Sequence, residues 1–340
     1  MAANLDSRTL AVQSTASQVC SVSEPARLPV VIDTDPGIDD VLALMLAARW
    51  ARCDLRLVSV VYGNTTLDLA ARNARIALAR GGAPDVMVLP GADRPLVRPL
   101  ITAKETHGAE GLGDHTAEPP RPTFASPSAL RDALRAAREP VVLITLGPLT
   151  NLAHALRLDP DLVRSRVRRH VMMGGSIAAR GTATPAAEFN VWCDPEAAAE
   201  VFAGGLRTWM VGMDVTRRLV IPAATVAKLA GHADPDARWL GRLLGFYVRF
   251  HQEYEGLAGA VINDPLAVAL ALEPSWGTAS PMPVAVDLSD EERRGRTAVG
   301  DTHRGDPVLF VYRDVDVPAV HALLLEQLFG RWLTRDDFAA

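Results

Sequence analysis

Short β-branched runs alternate with amphipathic helical patterns along most of the chain, and this alternation restricts the fold more than any other feature of the sequence. Residues 28–33 (LPVVID) read as a strand and 38–49 as the helix that follows. The pair repeats as a strand over 55–62 and a helix over about 67–80, where Leu69, Arg72, Asn73, Ile76 and Leu78 leave one apolar face. A short strand over 86–89 follows, and after an irregular stretch the alternation resumes with a helix near 128–138 and a strand over 141–146. Gly147-Pro148-Leu149-Thr150-Asn151 opens the next helix; a strand over 169–173, a helix from Asp194-Pro195 and a strand over 208–213 come after it. Helices are predicted over 222–230, 236–255 and 264–272, then strands over 284–288, 297–302 and 308–312, and a closing helix over 317–333. The expected class is α/β: an open, mostly parallel, Rossmann-like sheet with flanking helices and a small C-terminal antiparallel β extension.

Residues 1–27 mix Asp6, Arg8, Gln13, Gln18 and Glu24 with small residues and have no basic start leading into an apolar core, so they read as a disordered tail ahead of one domain over 28–340. The stretches 91–127 and 176–190 lack a clear period, and long irregular segments inside such a domain are candidate active-site loops. The formal net charge of −5 lacks the basic footprint of a phosphate-backbone binder, which argues against nucleic acid as a partner. No apolar run approaches the ~18 residues of a membrane span, so no membrane is expected. Cys20, Cys53 and Cys193 are odd in number and far apart, which supports neither a disulfide framework nor a zinc ribbon and makes the cytoplasm the default.

The chemistry is concentrated in Asp33-Thr34-Asp35-Pro36-Gly37-Ile38-Asp39-Asp40, four carboxylates within one strand-to-helix junction. In open α/β sheets ligands bind beyond the carboxyl ends of the strands, so these acids stand where chemistry is expected. A bland reading covers part of this: Asp39 and Asp40 suit a helix N-terminus, and Asp35-Pro36-Gly37 suits a turn. Four carboxylates this close repel one another, and a hard cation such as Ca²⁺ or Mg²⁺ with oxygen ligands offsets that repulsion. An EF-hand is excluded because the residue twelfth from Asp33 is Leu44 rather than Glu.

This segment resembles the D-x-D-P-G-x-D-D signature of the inosine-uridine-preferring nucleoside hydrolase family. The resemblance continues in family order through Val61-Tyr62-Gly63-Asn64-Thr65, His107-Gly108-Ala109-Glu110-Gly111, Leu146-Gly147-Pro148-Leu149-Thr150-Asn151 and Met172-Met173-Gly174-Gly175. Ala187-Glu188-Phe189-Asn190, Asp194-Pro195-Glu196-Ala197-Ala198 and Asn263-Asp264-Pro265-Leu266-Ala267 complete it. Taken singly, each block has an ordinary alternative: Gly63-Asn64 a turn, Leu146-Gly147-Pro148 a helix start, Asp264-Pro265 an N-cap with proline at N1, Met173 a core methionine.

The resemblance implies an enzyme that hydrolyses the N-glycosidic bond of ribonucleosides to ribose and free base. It implies Ca²⁺ as cofactor, held by Asp35, Asp40, Asp264 and the main-chain oxygen of Leu146, and direct attack of a metal-bound water with Asp35 as general base. Asp39, Asn64, Met173, Glu188, Asn190 and Asp264 are implied to hold the ribose, as is Thr182 at its 5′ end. Two positions depart from the common pattern: Asn263 stands where many members carry His immediately before the last ligand, and Thr182 stands in a Gly-Thr pair where the family commonly has Gly-Asn. Asn263 cannot act as a general acid, so the proton for the leaving base is open. His251, on a helix with Phe246, Tyr247, Phe250 and Tyr254, and His107, in the long loop, are candidate donors; a helix-surface and a loop-surface histidine are the alternatives.

The partner expected is thus a small ribonucleoside, in a homodimer or homotetramer serving purine and pyrimidine salvage. The same site acting on another ribosyl compound, or a nucleoside-binding protein without turnover, are the competing readings.

Overall fold

The protein is described here as a computed structural model covering residues 27–289 and 292–338. The expected tail over 1–27 lies, apart from Arg27, outside the described residues. Eleven strands follow one another along them: β1 (Leu28–Thr34), β2 (Cys53–Val60), β3 (Met87–Pro90), β4 (Val141–Thr145), β5 (Val167–Met173), β6 (Thr208–Val211), β7 (Val220–Pro222), β8 (Gly259–Val261), β9 (Gly277–Val286), β10 (Thr297–Val299) and β11 (Val308–Val315). Nine of these form one sheet in the order β10-β9-β11-β6-β5-β4-β1-β2-β3, and β7 and β8 pair as a separate antiparallel ribbon. From β3 to β11 every pairing is parallel; β9 joins β11, and β10 joins β9, antiparallel. The expected α/β class with its antiparallel extension is the observed one.

Alternation along the central strands explains the layering. Val30 and Ile32 of β1 face one core while Val31 faces the other, and Val142 and Ile144 of β4 oppose Leu143 in the same way. Strand order runs outward in opposite directions from the β1–β4 neighbourhood, which makes the gap between the carboxyl ends of β1 and β4 the topological switch point. Two helices converge on that gap. The helix Ile38–Arg49 is buried from Ile38 to Ala47, and Asn263–Leu272 from Asp264 to Leu272, so both are apolar nearly all round and pack together beneath the sheet's carboxyl edge. Each carries acids in its first turn, Asp39 and Asp40 on one and Asp264 on the other, where the helix dipole favours negative charge.

Several boundaries differ from the sequence reading. The second strand occupies 53–60 rather than 55–62, because the chain leaves the sheet before Val61 and Tyr62, which are buried in the following loop. The C-terminal antiparallel extension is continuous with the main sheet, because β11 pairs directly with β6. β9 begins at Gly277, seven residues ahead of the expected start, in a stretch whose Pro281 and Pro283 disguise it. Val284 donates its N–H to the Pro307 carbonyl on the β11 side, so alternation turns the nitrogens of Pro281 and Pro283 away from β11, toward the sheet edge where only the short β10 follows. The helix expected over 236–255 is α-helical over Pro235–Phe250 and closes with a wider π turn at His251–Glu255. The last helix behaves likewise, α-helical over Val317–Leu324 and π over Leu325–Phe329. Arg72 and Asn73, counted as part of an apolar helix face, are buried polar residues with a task described below.

Candidate active site

The acids after β1 are packed under the switch point by main-chain geometry. Asp40 accepts the Gly37 N–H on Oδ2 at 2.9 Å and the Asn64 amide on the same oxygen at 3.0 Å, while the Thr34 hydroxyl donates to its Oδ1. Asp35 accepts the Asn64 N–H on Oδ2 at 2.7 Å, and its Oδ1 is buried without a partner among the described residues. Two glycines make room for that carboxylate: a Cβ on Gly63 would lie 2.0 Å from Asp35 Oδ2, and one on Gly147 would lie 2.5 Å from Asp35 Oδ1. The strand ends of β1, β2 and β4 therefore close on one carboxyl group.

Asp39, Asp40 and Asp264 each offer an oxygen, all within 4.8 Å of one another, an arrangement that can hold a metal ion. The electrostatics of the bare chain show why it would. Burial and the neighbouring Asp40 push Asp35 well above the ordinary carboxylate range; burial and Asp39 do the same to Asp264 and bring Asp40 to about 6. Acids so crowded are costly to ionise together without a cation; Asp35, expected as a ligand, is not in that group of three, but its carboxyl feels the Asp40 charge and its Oδ1 is buried without a partner among the described residues. The donor set, oxygen throughout, suits a hard divalent ion.

A chamber opens above the acids. Asp39, Asn64, His107, Leu146, Met173, Thr182, Glu188, Asn190, His251, Asn263 and Asp264 line it, with Asp35 and Asp40 fully buried, so of the acids in the opening motif Asp33 alone is directed elsewhere. Glu188 is fixed by three N–H groups, those of Gly175 at 2.9 Å, Asn190 at 2.7 Å and Val191 at 3.2 Å, and so caps the short helix Phe189–Cys193. Burial raises its carboxyl group above the usual value in spite of those bonds. Asn190 donates from Nδ2 to the Leu146 carbonyl at 2.8 Å. The Thr182 hydroxyl accepts the Phe189 N–H at 3.0 Å, which leaves its own proton free to donate. Asn263 gives its backbone N–H and its side-chain amide to one oxygen, Oδ2 of Asp39, each at 3.1 Å.

The two histidines are neither surface nor charged. His107 accepts the Ile38 N–H on Nδ1 at 3.0 Å, and His251 receives the Val261 N–H on Nδ1 at 3.4 Å. Tyr247 lies between them, with ring centroids 5.3 Å from His107 and 4.4 Å from His251. Burial lowers both imidazoles to about 4, so each is neutral at pH 7 and offers an N–H rather than an acidic proton.

Other contributors were not singled out in the sequence. Tyr247 and Phe250 form an aromatic wall with Phe189, and the i, i+4 spacing of Tyr247 and His251 on one helix was the signal available for the first. Asn73 and Arg72 brace the two active-site loops from helix Leu67–Gly81: Asn73 Nδ2 donates to the carbonyls of Pro36 and Glu110, and Arg72 donates to Asn73 Oδ1 at 3.1 and 3.0 Å and to Glu110 Oε2 at 2.7 Å. Beneath them Asn151 donates to Asp33 Oδ1 at 2.8 Å and accepts the Ala92 N–H at 2.7 Å, turning Asp33 away from the chamber.

The fold agrees with the comparisons to known proteins. Residues 30–322 match the family described as inosine-uridine preferring nucleoside hydrolase, and the chain belongs to that family. It is an enzyme of the nucleoside N-ribohydrolase class. The non-specific ribonucleoside hydrolase RihC of Klebsiella pneumoniae is 40% identical over 296 residues, 86% of this chain and 95% of the relative. The pyrimidine-specific ribonucleoside hydrolase RihA of Salmonella gallinarum is 35% identical over 309 residues, 88% of this chain and 98% of the relative. Among solved structures, the plant nucleoside hydrolase PpNRh1 aligns with a TM-score of 0.80 at 30% identity, covering 89% of this chain and 99% of that one. The purine-preferring ribonucleoside hydrolase from Gardnerella vaginalis aligns with a TM-score of 0.80 at 27% identity, covering 89% and 98%. No helix of the described residues is long and apolar enough to cross a membrane.

Proposed function

We propose that the protein hydrolyses ribonucleosides to ribose and free nucleobase in a Ca²⁺-dependent reaction, with Asp35 as general base, and that residues 28–340 form one nucleoside hydrolase domain. The observation that carries this reading is the buried group Asp39, Asp40 and Asp264, whose carboxylate oxygens lie within 4.8 Å of one another at the β1–β4 switch point, with the unpartnered, buried Asp35 Oδ1 on a carboxyl group near enough to feel the Asp40 charge. Asp35, Asp40, Asp264 and the Leu146 carbonyl would hold the ion. Its charge would offset their repulsion and polarise the attacking water, more weakly than zinc does, so a protein base is still needed.

The chain's own residues do the rest. Asp35 takes a proton from the water as the oxygen closes on C1′ of the ribose, with no covalent sugar intermediate. Asp39, Asn64, Asp264 and Asn190 pair with the 2′ and 3′ hydroxyls, Met173 lies against the sugar, and Glu188 and Thr182 hold its 5′ end. The surrounding carboxylates favour the positive charge that develops on the ribose in the transition state. His107 and His251 donate N–H groups to the departing base. Relatives of this chain are named as non-specific, pyrimidine-specific and purine-preferring, which supports a reading that covers both purine and pyrimidine ribosides; the reading also includes a cytoplasmic salvage role and a homodimer or homotetramer.

A second reading, the same centre acting on a different ribosyl compound, is favoured by Asn263 and Thr182 at the two ends of the chamber. Ribose release from inosine, uridine, cytidine and adenosine, with chelator and after Ca²⁺ is returned, tests both. Release from at least one, lost with chelator and restored by Ca²⁺, is expected. Tight nucleoside binding with no release from any would overturn the hydrolase reading in favour of a binding protein.

A further inference from the structure

Two loops enclose the Asp35 carboxyl group. Tyr62-Gly63-Asn64 follows β2 and Leu146-Gly147-Pro148 follows β4, and the loops also touch each other, since a Cβ on Gly63 would lie 2.9 Å from Pro148 Cδ. β1 separates β2 from β4 in the sheet, so ladder bonds do not hold the two loops together. Side chains do so instead. Asn151 donates to the Val60 carbonyl at 3.1 Å, and one residue before it the Thr150 hydroxyl meets the Tyr62 hydroxyl at 3.0 Å.

The second of these contacts continues into a buried carboxylate. Asp194 accepts the Thr150 hydroxyl at 2.7 Å and the Leu96 N–H at 2.9 Å on Oδ2, and the Ala197 N–H at 3.0 Å on Oδ1. Capping of the helix Pro195–Ala203 explains the Ala197 bond but neither of the others. A carboxylate only accepts, so the Thr150 proton is committed to Asp194 and Tyr62 donates to the Thr150 oxygen. Tyr62, Thr150 and Asp194 are fully buried, and none of them lines the chamber. Asp194 also ends the short helix Phe189–Cys193, from which Asn190 donates to the Leu146 carbonyl.

We propose, on the ribohydrolase reading above, that Thr150 is a positioning residue for the general base. The chain from Tyr62 through Thr150 to Asp194 sets the width of the slot between Gly63 and Gly147, and with it the orientation of the Asp35 carboxyl group. Asp35 Oδ1 has no hydrogen-bond partner among the described residues, so packing against Gly147 places that oxygen. Tyr62 directly precedes Gly63, and Thr150 begins the helix that Gly147-Pro148 leads into, so a bridge between their hydroxyls acts on both walls at once. Without it the walls can part. A misplaced base costs rate more than substrate binding, because Asp39 and Glu188 take no part in the bridge.

The test uses the full chain with Ca²⁺ and the faster substrate of inosine and uridine, comparing Tyr62→Phe, Thr150→Val and Thr150→Ser. Tyr62→Phe removes only the bridging hydroxyl, and Thr150→Val keeps the side-chain shape without donor or acceptor. Both are expected to lower kcat by about tenfold or more with KM within about threefold of the wild type, while Thr150→Ser, which keeps the hydroxyl, stays within about threefold in both. Calorimetry gives a readout without turnover: Ca²⁺ affinity is expected to fall by about threefold or more in the first two variants and to be retained in Thr150→Ser. Urea unfolding shows which variants are folded, and if Thr150→Val is not, Tyr62→Phe decides. Folded variants that lose stability but keep the wild-type kcat and Ca²⁺ affinity, or that raise KM alone, would overturn the positioning role while the ribohydrolase reading stands. A wild-type chain that releases ribose from neither nucleoside would overturn both.

Discussion

Asn73 donates from its side-chain nitrogen to the carbonyl of Pro36 at 3.0 Å, inside the turn that separates Asp35 from Asp39 and Asp40. The same nitrogen reaches the Glu110 carbonyl at 2.8 Å, three residues beyond His107. A fully buried residue outside the chamber thus sets the distance between the acid turn and the histidine loop.

Asn73→Ala strips a donor from two carbonyls and leaves Arg72 facing an empty site. The variant is expected to lose about 1–3 kcal/mol of stability and, in molecules still folded, about tenfold or more in turnover as His107 shifts. Urea unfolding and ribose release measure the two separately; unchanged turnover would show that the brace does not position the site.

Asp35→Asn keeps the shape of the side chain and removes its ability to accept a proton. Turnover is expected to fall by about a thousandfold, within the range of general-base loss, while calorimetry still detects riboside binding through Glu188 and Asn190. Activity near that of the wild type would remove Asp35 from the base role.

The α/β class and the place of the acids were legible in the sequence because they rest on local pattern: β-branched runs, glycine and proline punctuation, and a dense acid motif at a strand end. Asn64, Glu188, Asn190 and Asp264 could be placed only through the resemblance, since each alone passes for a turn or a cap. Arg72 and Asn73 were misread because periodicity counts a helix face and cannot distinguish a buried polar brace from apolar packing. Pro281 and Pro283 hid the start of β9, since proline normally argues against a strand and is permitted here because the alternation turns both nitrogens away from β11. The burial of His107 and His251, which makes both neutral, depends on contacts with Ile38, Tyr247 and Val261 that only the tertiary structure brings about.

The crowded acids set a pH dependence. Burial places Asp40 at about 6 in the ion-free chain, above its unfolded value, so the stability it contributes is full below about pH 4 and is lost as pH rises through about 6. A divalent ion favours the charged carboxylates and reverses that loss. The rise in melting temperature on adding Ca²⁺ to chelated protein is therefore expected to be larger at pH 8 than at pH 5. Comparing the two states at each pH cancels the opposite contribution of the buried histidines. An equal or smaller rise at pH 8 would contradict the carboxylate cage.

In the proposed function the ribose hydroxyls pair with Asp39, Asn64 and Asn190, and a missing hydroxyl takes a partner from those buried polar groups. A 2′-deoxyriboside is expected to lose roughly a hundredfold or more in kcat/KM against its riboside, short of the largest such penalties because the chamber is open to solvent on one side. Steady-state rates for uridine and deoxyuridine check it, and parity between them would place the sugar elsewhere.

The most direct measurement is calorimetric titration of Ca²⁺ into chelator-treated full chain, beside Asp40→Asn and Asp264→Asn. Binding of one ion per chain by the wild type, weakened by about tenfold or more in each variant, is the expected result. Wild-type binding that neither substitution alters, or no binding at all, would contradict the claim that these buried carboxylates form the catalytic ion site.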